Sequence, residues 1–251
     1  MTNERLRSAL LDARLSTSEL GERVGVDPKT VERWLTSDRL PHRSHRLRVG
    51  QLLGKDDQYL WPSATGDLRT QSASQAEFVA LHTSRGAIPI ETWQQLLAQA
   101  DESIDLLAIA GSFLHDSIPD FDQALLAKAR QGVRTRLLFA DPNSGMVRLR
   151  SHEEGLKDFL VGRVHLTWQY FRPLLEDEAV IARMHSCTLY NSIYRFDNEV
   201  LVNIHTFGLP ATRSPVLHLH RIAGGRLFNQ YMESYDQVWD SAAPLSPQGV
   251  A

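Results

Sequence analysis

The stretch from Leu15 to Leu35, LSTSELGERVGVDPKTVERWL, constrains the fold more than any other. It reads as two short helices joined by a tight turn. The first runs from about Thr17 to Val24, with Ser16 or Thr17 placed to cap it and Glu19 and Glu22 near its start. Gly25 supplies the positive φ that a helix C-terminus commonly needs. Asp27 is placed to cap the second helix, and Pro28 suits its first position, where a missing N–H costs nothing. Leu20, Val24, Val26, Val31, Trp34 and Leu35 are predicted to meet inside the angle between the helices, with Gly21 giving room at the crossing. This is helix-turn-helix geometry, whose second helix can enter the major groove of DNA. The same pattern also suits a small protein-binding bundle with a solvated helical face.

Charge and residue types favour the first of these. Taken alone the net charge of −3 argues against nucleic acid, but it averages two unlike parts. Met1 to Lys55 holds eleven Lys/Arg against seven Asp/Glu, whereas the remainder holds sixteen against twenty-three. That asymmetry describes a basic module on an acidic body. On the helix from Pro28 to Leu35, the outward residues are Lys29, Thr30 and Arg33. Lys and Arg can donate to guanine O6/N7, and Thr can touch a thymine methyl or a phosphate. Arg39, His42, Arg43, Arg46 and Arg48 follow as a basic stretch suited to phosphate contacts.

The motif resembles the helix-turn-helix of the lambda-repressor-like, or XRE, family of bacterial regulators. Gly21, the turn glycine Gly25, and Val26, Val31 and Trp34 carry the resemblance, which covers about fifty residues with flanking helices at about Arg5 to Ala13 and Arg43 to Leu53. Many members begin the first motif helix with Thr-Gln, whose Gln clamps a phosphate or a base. Here Thr17-Ser18 stands at that place, with a shorter side chain.

From about Gln75 the chain alternates helical and strand patterns. Ile90 to Ala100 and Phe121 to Gln131 read as helices, and the apolar runs Ile104 to Ala110 and Val133 to Ala140 as buried strands. A long helical stretch is predicted from about Val147 to Leu175, broken near Gly155 or Gly162. Strands follow at Ala179 to Met184, Leu189 to Phe196, Glu199 to His205 and Pro215 to Arg221, with Asp197-Asn198 as a hairpin turn, and then a helix from Leu227 to Trp239. Such alternation argues for α/β with a partly parallel sheet. Ligands in such folds sit outside the carboxyl ends of the strands, which points to Ser112 and Asp141.

IDLLAIAGSFL, GVRTRLLFADPNS, LYNSIYRFDNEVLVN and the closing YDQVW together resemble the phospholipase D superfamily, in the form fused to XRE domains in actinobacterial regulators. Active members carry His-x-Lys, four residues, then Asp, the histidine attacking a phosphodiester. Setting that Asp on Asp197 puts Tyr190 at the histidine and Ser192 at the lysine, while the usual Gly-Ser-x-Asn falls on Ile204 to Phe207. Tyr and Ser cannot reproduce a phosphohistidine nucleophile and its lysine. His185, five residues earlier, lacks a lysine and an aspartate at the matching places. The resemblance therefore implies a retained pocket used for sensing, with Ser112, Asp141, His185, Tyr190, Asn191 and Asn203 as candidate lining residues.

Nothing else in the chain marks a catalytic or metal centre. His218 and His220 alternate on one strand without further ligands, and Ser112, His115 and Asp116 lack a nucleophile-elbow motif. The lone Cys187 excludes an internal disulfide and any multi-cysteine zinc site. No apolar run reaches membrane-spanning length, and the opening MTNERLRSALLDARL is too charged for a signal peptide, so a cytoplasmic location is expected.

The expectation is an α+β two-domain chain: an all-α helix-turn-helix domain over residues 1–60, a linker over 61–74, an α/β phospholipase D-like domain with a mixed sheet over 75–243, and a tail over 244–251. Its expected function is that of a sequence-specific DNA-binding transcriptional regulator, dimeric and not an enzyme, with no cofactor and no metal. Its partners would be a double-stranded operator and a small-molecule effector, not a membrane. The competing reading is a phosphodiesterase or nuclease that the helix-turn-helix targets to DNA.

Overall fold

A computed structural model of the chain describes residues 2–37, 39–62 and 68–245, which divide into two compact units, Met1–Ser72 and Ala73–Ala251. The first unit is helical: α1 (Glu4–Asp12), α2 (Thr17–Val24), α3 (Pro28–Thr36), α4 (Arg43–Leu53) and α5 (Asp57–Leu60). Local chemistry sets the α2–α3 pair. Ser16 Oγ accepts from the Glu19 N–H at 3.2 Å, and the Glu19 carboxylate accepts from the Ser16 N–H at 2.8 Å. This reciprocal cap is worth about 1 kcal/mol. Gly25 ends α2 at φ 79°, and Asp27 caps α3 by accepting from the Lys29 N–H at 2.8 Å, with Pro28 in the first position. Leu6, Leu20, Val31, Val49 and Leu60 form the centre of the unit, where Trp34 meets Trp61 edge-on at 6.3 Å.

Gly21 lets α2 and α3 cross. A Cβ there would stand 2.7 Å from the Val26 carbonyl oxygen. Gly21→Ala gains about 1 kcal/mol in helix propensity, but overpacking costs about 1–3 kcal/mol. The clash is with backbone, which cannot rotate aside, so the upper part of that range applies. The expected result is a lower urea midpoint for the N-terminal unit; an unchanged midpoint would mean that α3 can back away freely.

The expected linker over 61–74 is corrected in part. Trp61 is buried in the first core, because its ring closes the space over Trp34, and α6 (Leu68–Ala76) is helical; residues 63–67 lie outside the described residues.

In the second unit the described residues form one eight-stranded mixed sheet in the order β1-β7-β6-β5-β2-β3-β4-β8. The strands are β1 (Phe78–His82), β2 (Ser103–Ala108), β3 (Arg134–Ala140), β4 (Val180–His185), β5 (Asn191–Phe196), β6 (Glu199–Ile204), β7 (Val216–His220) and β8 (Ala243–Pro244). β2, β3 and β4 are parallel, and the other pairings are antiparallel. The helices are α7 (Ile90–Gln99), α8 (Ser112–Ser117), α9 (Phe121–Arg130), α10 (Gly145–Glu153), α11 (Phe159–Phe171) and α12 (Leu227–Ser241).

Side-chain alternation along the central strands explains the layers. Leu106, Leu137 and Tyr194 point to one face, packed with Trp93 of α7, Leu125 of α9 and Trp168 of α11. Leu107, Leu138 and Ile193 point to the other, packed with Phe228, Tyr235 and Trp239 of α12. Glu77, fully buried, accepts from the Leu227 and Phe228 N–H groups at 2.8 and 3.3 Å and so caps α12.

The predicted long helix is two helices, divided after Glu153 and around Gly155, and α11 runs through Gly162. β1, α8 and β8 carry no strong pattern in the sequence. β8 also corrects the expected tail: Pro244 pairs with Arg183, while residues 246–251 lie outside the described residues.

Candidate functional site

The two units present two different surfaces. On the first, the buried row Val31, Trp34 and Leu35 turns the opposite face of α3 outward. Lys29 and Arg33 are exposed there and Thr30 is half-buried. Thr30, Arg33, Arg39 and His42 line one shallow groove with Val26 and Trp34. Arg43, Arg48 and Ser18 are exposed, and Thr17 is half-buried at the start of α2. His42 also has a local task, since its Nδ1 accepts from the Ser44 N–H and caps α4. Arg46 departs from expectation. Its side chain is mostly covered, lies 3.5 Å from the Asp57 carboxylate and donates to the Pro41 carbonyl at 3.3 Å, so it braces α4 against α5 instead of facing solvent.

On the second unit, the six expected ligand-binding residues do not converge. Ser112 is fully buried and its hydroxyl accepts from Arg163 Nη2 at 3.0 Å. The Asp141 carboxylate accepts from the Asn143 N–H at 2.8 Å, closing the turn before α10. His185 is buried with Nε2 3.1 Å from the Ala108 carbonyl; a carbonyl only accepts, so Nε2 carries the proton. Burial holds its imidazole below the ordinary histidine range and so in the neutral form. Asn203 is buried and its amide donates to the Ser214 and Pro215 carbonyls, both at 3.1 Å. Tyr190 is 79% exposed, and with Asn191 it lines a separate cleft beside α12. These are mostly structural positions. The reason is chemical: Asp141, His185 and Asn203 bond backbone groups, and Ser112 bonds the Arg163 side chain.

His185 lines a small pocket with Ser144, Met146 and Cys187, and a further cleft is lined by Arg85, Ile109, Glu154, Arg163, Ser192 and His205, among others. It lies just beyond β2 and between the start of β5 and the end of β6, the strand-end position that α/β topology favours. Ser192 Oγ and His205 Nε2 are 3.0 Å apart, and His205 Nδ1 is 3.1 Å from the Leu189 carbonyl. Nδ1 therefore donates to the carbonyl and Nε2 accepts from the serine hydroxyl. Burial lowers the His205 pKa to about 4; the Leu189 carbonyl opposes this, and Arg150 and Arg85 add to it. Arg85 and Arg163 stand in no sequence motif, and His205 falls within Ile204 to Phe207, where the Gly-Ser-x-Asn pattern is lost.

Asp197 does not line this cleft. Its carboxylate accepts from the backbone N–H groups of Asp101, Glu102 and Ser103 at 2.8, 2.8 and 2.7 Å. Its φ of 52° is the hairpin geometry expected for Asp197-Asn198. His218 and His220 both bond the Glu199 carboxylate at 2.7 Å, bracing β7 against β6. Among the described residues no group of three His, Cys, Asp or Glu side chains is placed to hold a metal ion.

Fold and surfaces define a two-unit α+β protein, a helical unit with a cationic face and a mixed-sheet unit with a polar cleft. No protein family matches the chain, and no curated protein matches it. Among solved structures it is similar to TrmBL2, described as an archaeal chromatin protein with a novel mode of DNA binding, at 12% identity and a TM-score of 0.46 over 81% of this chain. The chain spans 62% of the TrmBL2 length. It is also similar to Nuc from Salmonella typhimurium, a phospholipase D family member, at 13% identity and a TM-score of 0.41, covering 66% of this chain and 97% of that one.

Proposed function

We propose that the chain is a sequence-specific DNA-binding transcriptional regulator of the lambda-repressor-like, XRE kind, acting as a cytoplasmic homodimer. The carrying observation is the solvent face of α3, where Lys29 and Arg33 are exposed while Val31, Trp34 and Leu35 anchor the helix. Arg33 and Lys29 would read guanine edges, and Arg39, Arg43 and Arg48 would hold phosphates. A dimer would set two α3 helices about one DNA turn apart, suited to a palindromic site. The second unit would sense an effector and act on DNA affinity by favouring one dimer arrangement over another. We read that unit as non-enzymatic. Tyr190 and Ser192 stand where a histidine and lysine would be needed, and the Asp197 carboxylate is engaged by three amides. No helix among the described residues is long and apolar enough to cross a membrane.

The test begins with selection of bound fragments from genomic DNA by the full chain, which yields a site. Arg33→Ala should then relax preference at one base pair by about 1–3 kcal/mol, while Arg48→Ala should weaken all sequences alike and flatten the salt dependence. If Arg33→Ala bound site and random DNA as the parent does, α3 would not be the reading element.

A further inference from the structure

The cleft in the second unit contains a buried cation without a counter-charge. Arg85 is 6% exposed; its Nη1 donates to Tyr194 Oη at 3.1 Å and its guanidinium lies 4.1 Å over the Phe113 ring, yet its Nε has no partner. Among the described residues no carboxylate pairs with it. The contrast within the same unit is sharp. Arg136 and Arg195 both pair with Asp105, and Arg150 pairs with Glu154 at 2.6 Å. Desolvating a guanidinium costs several kcal/mol, and a fold ordinarily offsets that with an opposite charge. Here that charge is absent among the described residues.

Three further groups surround the same space. Arg163 lines it from α11, oriented by Ser112 and only loosely paired with Asp116 at 3.3 Å, both side chains being partly open to solvent. Ser192 and His205 supply a hydroxyl and an imidazole nitrogen that now bond each other. The one carboxylate at the wall, Glu154, is held by Arg150. Burial is the main cause of the low pKa of His205, and the charges of Arg150 and Arg85 lower it further. The cleft holds about 80 Å³ of accessible space, enough for a single tetrahedral anion, and opens to solvent, where a substituent can extend.

We propose that this cleft is a binding site for a phosphate group, held between Arg85 and Arg163, with the Ser192 hydroxyl turning from His205 to donate to it. The group can come from free orthophosphate or from a phosphate monoester, and both present the same oxyanion to the two guanidinium forks. The proposal deepens the effector reading of the second unit and rests on it only for the link to DNA affinity.

The experiment is calorimetric titration of the full chain with inorganic phosphate and with phenyl phosphate, chloride keeping ionic strength constant. Expected is saturable binding at one site per chain, weakened about tenfold or more in Arg85→Met and in Arg163→Gln and unchanged in Arg221→Gln. Equal affinities identify orthophosphate as the source, and tighter phenyl phosphate identifies an ester; either supports the site. Because Arg85 is unpaired, Arg85→Met should leave the melting temperature of the free protein unchanged or raised, whereas a merely structural arginine would lower it. No saturable binding, or binding indifferent to both variants, overturns the proposal. DNA affinity measured with and without phosphate separates the two readings: a phosphate site with unaltered DNA affinity removes the effector role and leaves the site standing.

Discussion

Asp105→Asn is expected to destabilise the second unit by about 3–5 kcal/mol, the largest effect of any single substitution outside its apolar core. Asp105 is fully buried on β2 and receives three guanidinium groups: Arg136 Nε at 2.6 Å, Arg195 Nη1 at 2.9 Å and Arg134 Nη2 at 3.1 Å. An amide of the same shape keeps some hydrogen bonds but leaves the cationic cluster without its anion. Arg136 has secondary support, since it lies 4.5 Å over the Tyr235 ring and 2.9 Å from Asp236, whereas Arg195 depends more on Asp105. Burial by itself would lower the Arg136 pKa, but the Asp105 bond and charge reverse this and raise it. The measurement is urea denaturation followed by tryptophan fluorescence. A double-mutant cycle with Arg136→Met should show coupling, the pair costing less than the sum of the single changes. A loss under 1 kcal/mol would mean that water enters to solvate the cluster.

Asp197→Gly is expected to cost about 2 kcal/mol while leaving the hairpin intact. Glycine keeps the left-handed φ of 52°, so the change removes only the acceptor shared by the N–H groups of Asp101, Glu102 and Ser103. Burial would raise the Asp197 pKa; those three amides and Arg195 outweigh it and hold the carboxyl below the usual aspartate range. A depressed folded pKa contributes stability that is complete above the unfolded value, about pH 4, and is lost as pH falls through the folded value. Parent and variant should therefore differ most at neutral pH and converge in acid. The same variant tests the enzymatic alternative: turnover of a chromogenic phosphodiester by the parent, abolished in Asp197→Gly at a temperature where the variant is folded, would overturn the regulator reading.

The helix-turn-helix was legible almost residue by residue because its determinants are local. Ser16, Gly25, Asp27 and Pro28 act on backbone groups within a few positions of themselves, and the expected bounds Thr17 to Val24 recur in α2. The central strands were legible for a related reason, since IDLLAIA and VRTRLLFA are apolar enough to require burial on both faces. β1 was not, because an edge strand with Phe78, Val79 and Leu81 half-exposed leaves no clean alternation. The partners of Asp105 were not legible either. Cross-strand register puts Arg136 and Arg195 opposite it, and register is a property of the assembled sheet.

The polar sites divide along the same line. Lys29 and Arg33 could be placed on an outward helical face from spacing alone, because the helix period and the apolar positions decide which side is wet. Arg46 belongs to the same basic run, yet Asp57 eleven residues later takes it out of the solvent. Ser112, Asp141 and Asn203 sit near strand ends as expected, but Asp141 bonds the Asn143 N–H, the Asn203 amide bonds the Ser214 carbonyl, and Ser112 orients Arg163. The cleft draws Arg85 from before α7, Arg163 from α11, Ser192 from β5 and His205 from after β6. The sequence by itself determined the caps, the turn, the buried strands and the outward face of α3, since each depends on near neighbours and on period. Only the tertiary structure decided which charges meet and which is left unpaired, because side chains up to a hundred residues apart acquire their electrostatic partners when the sheet closes.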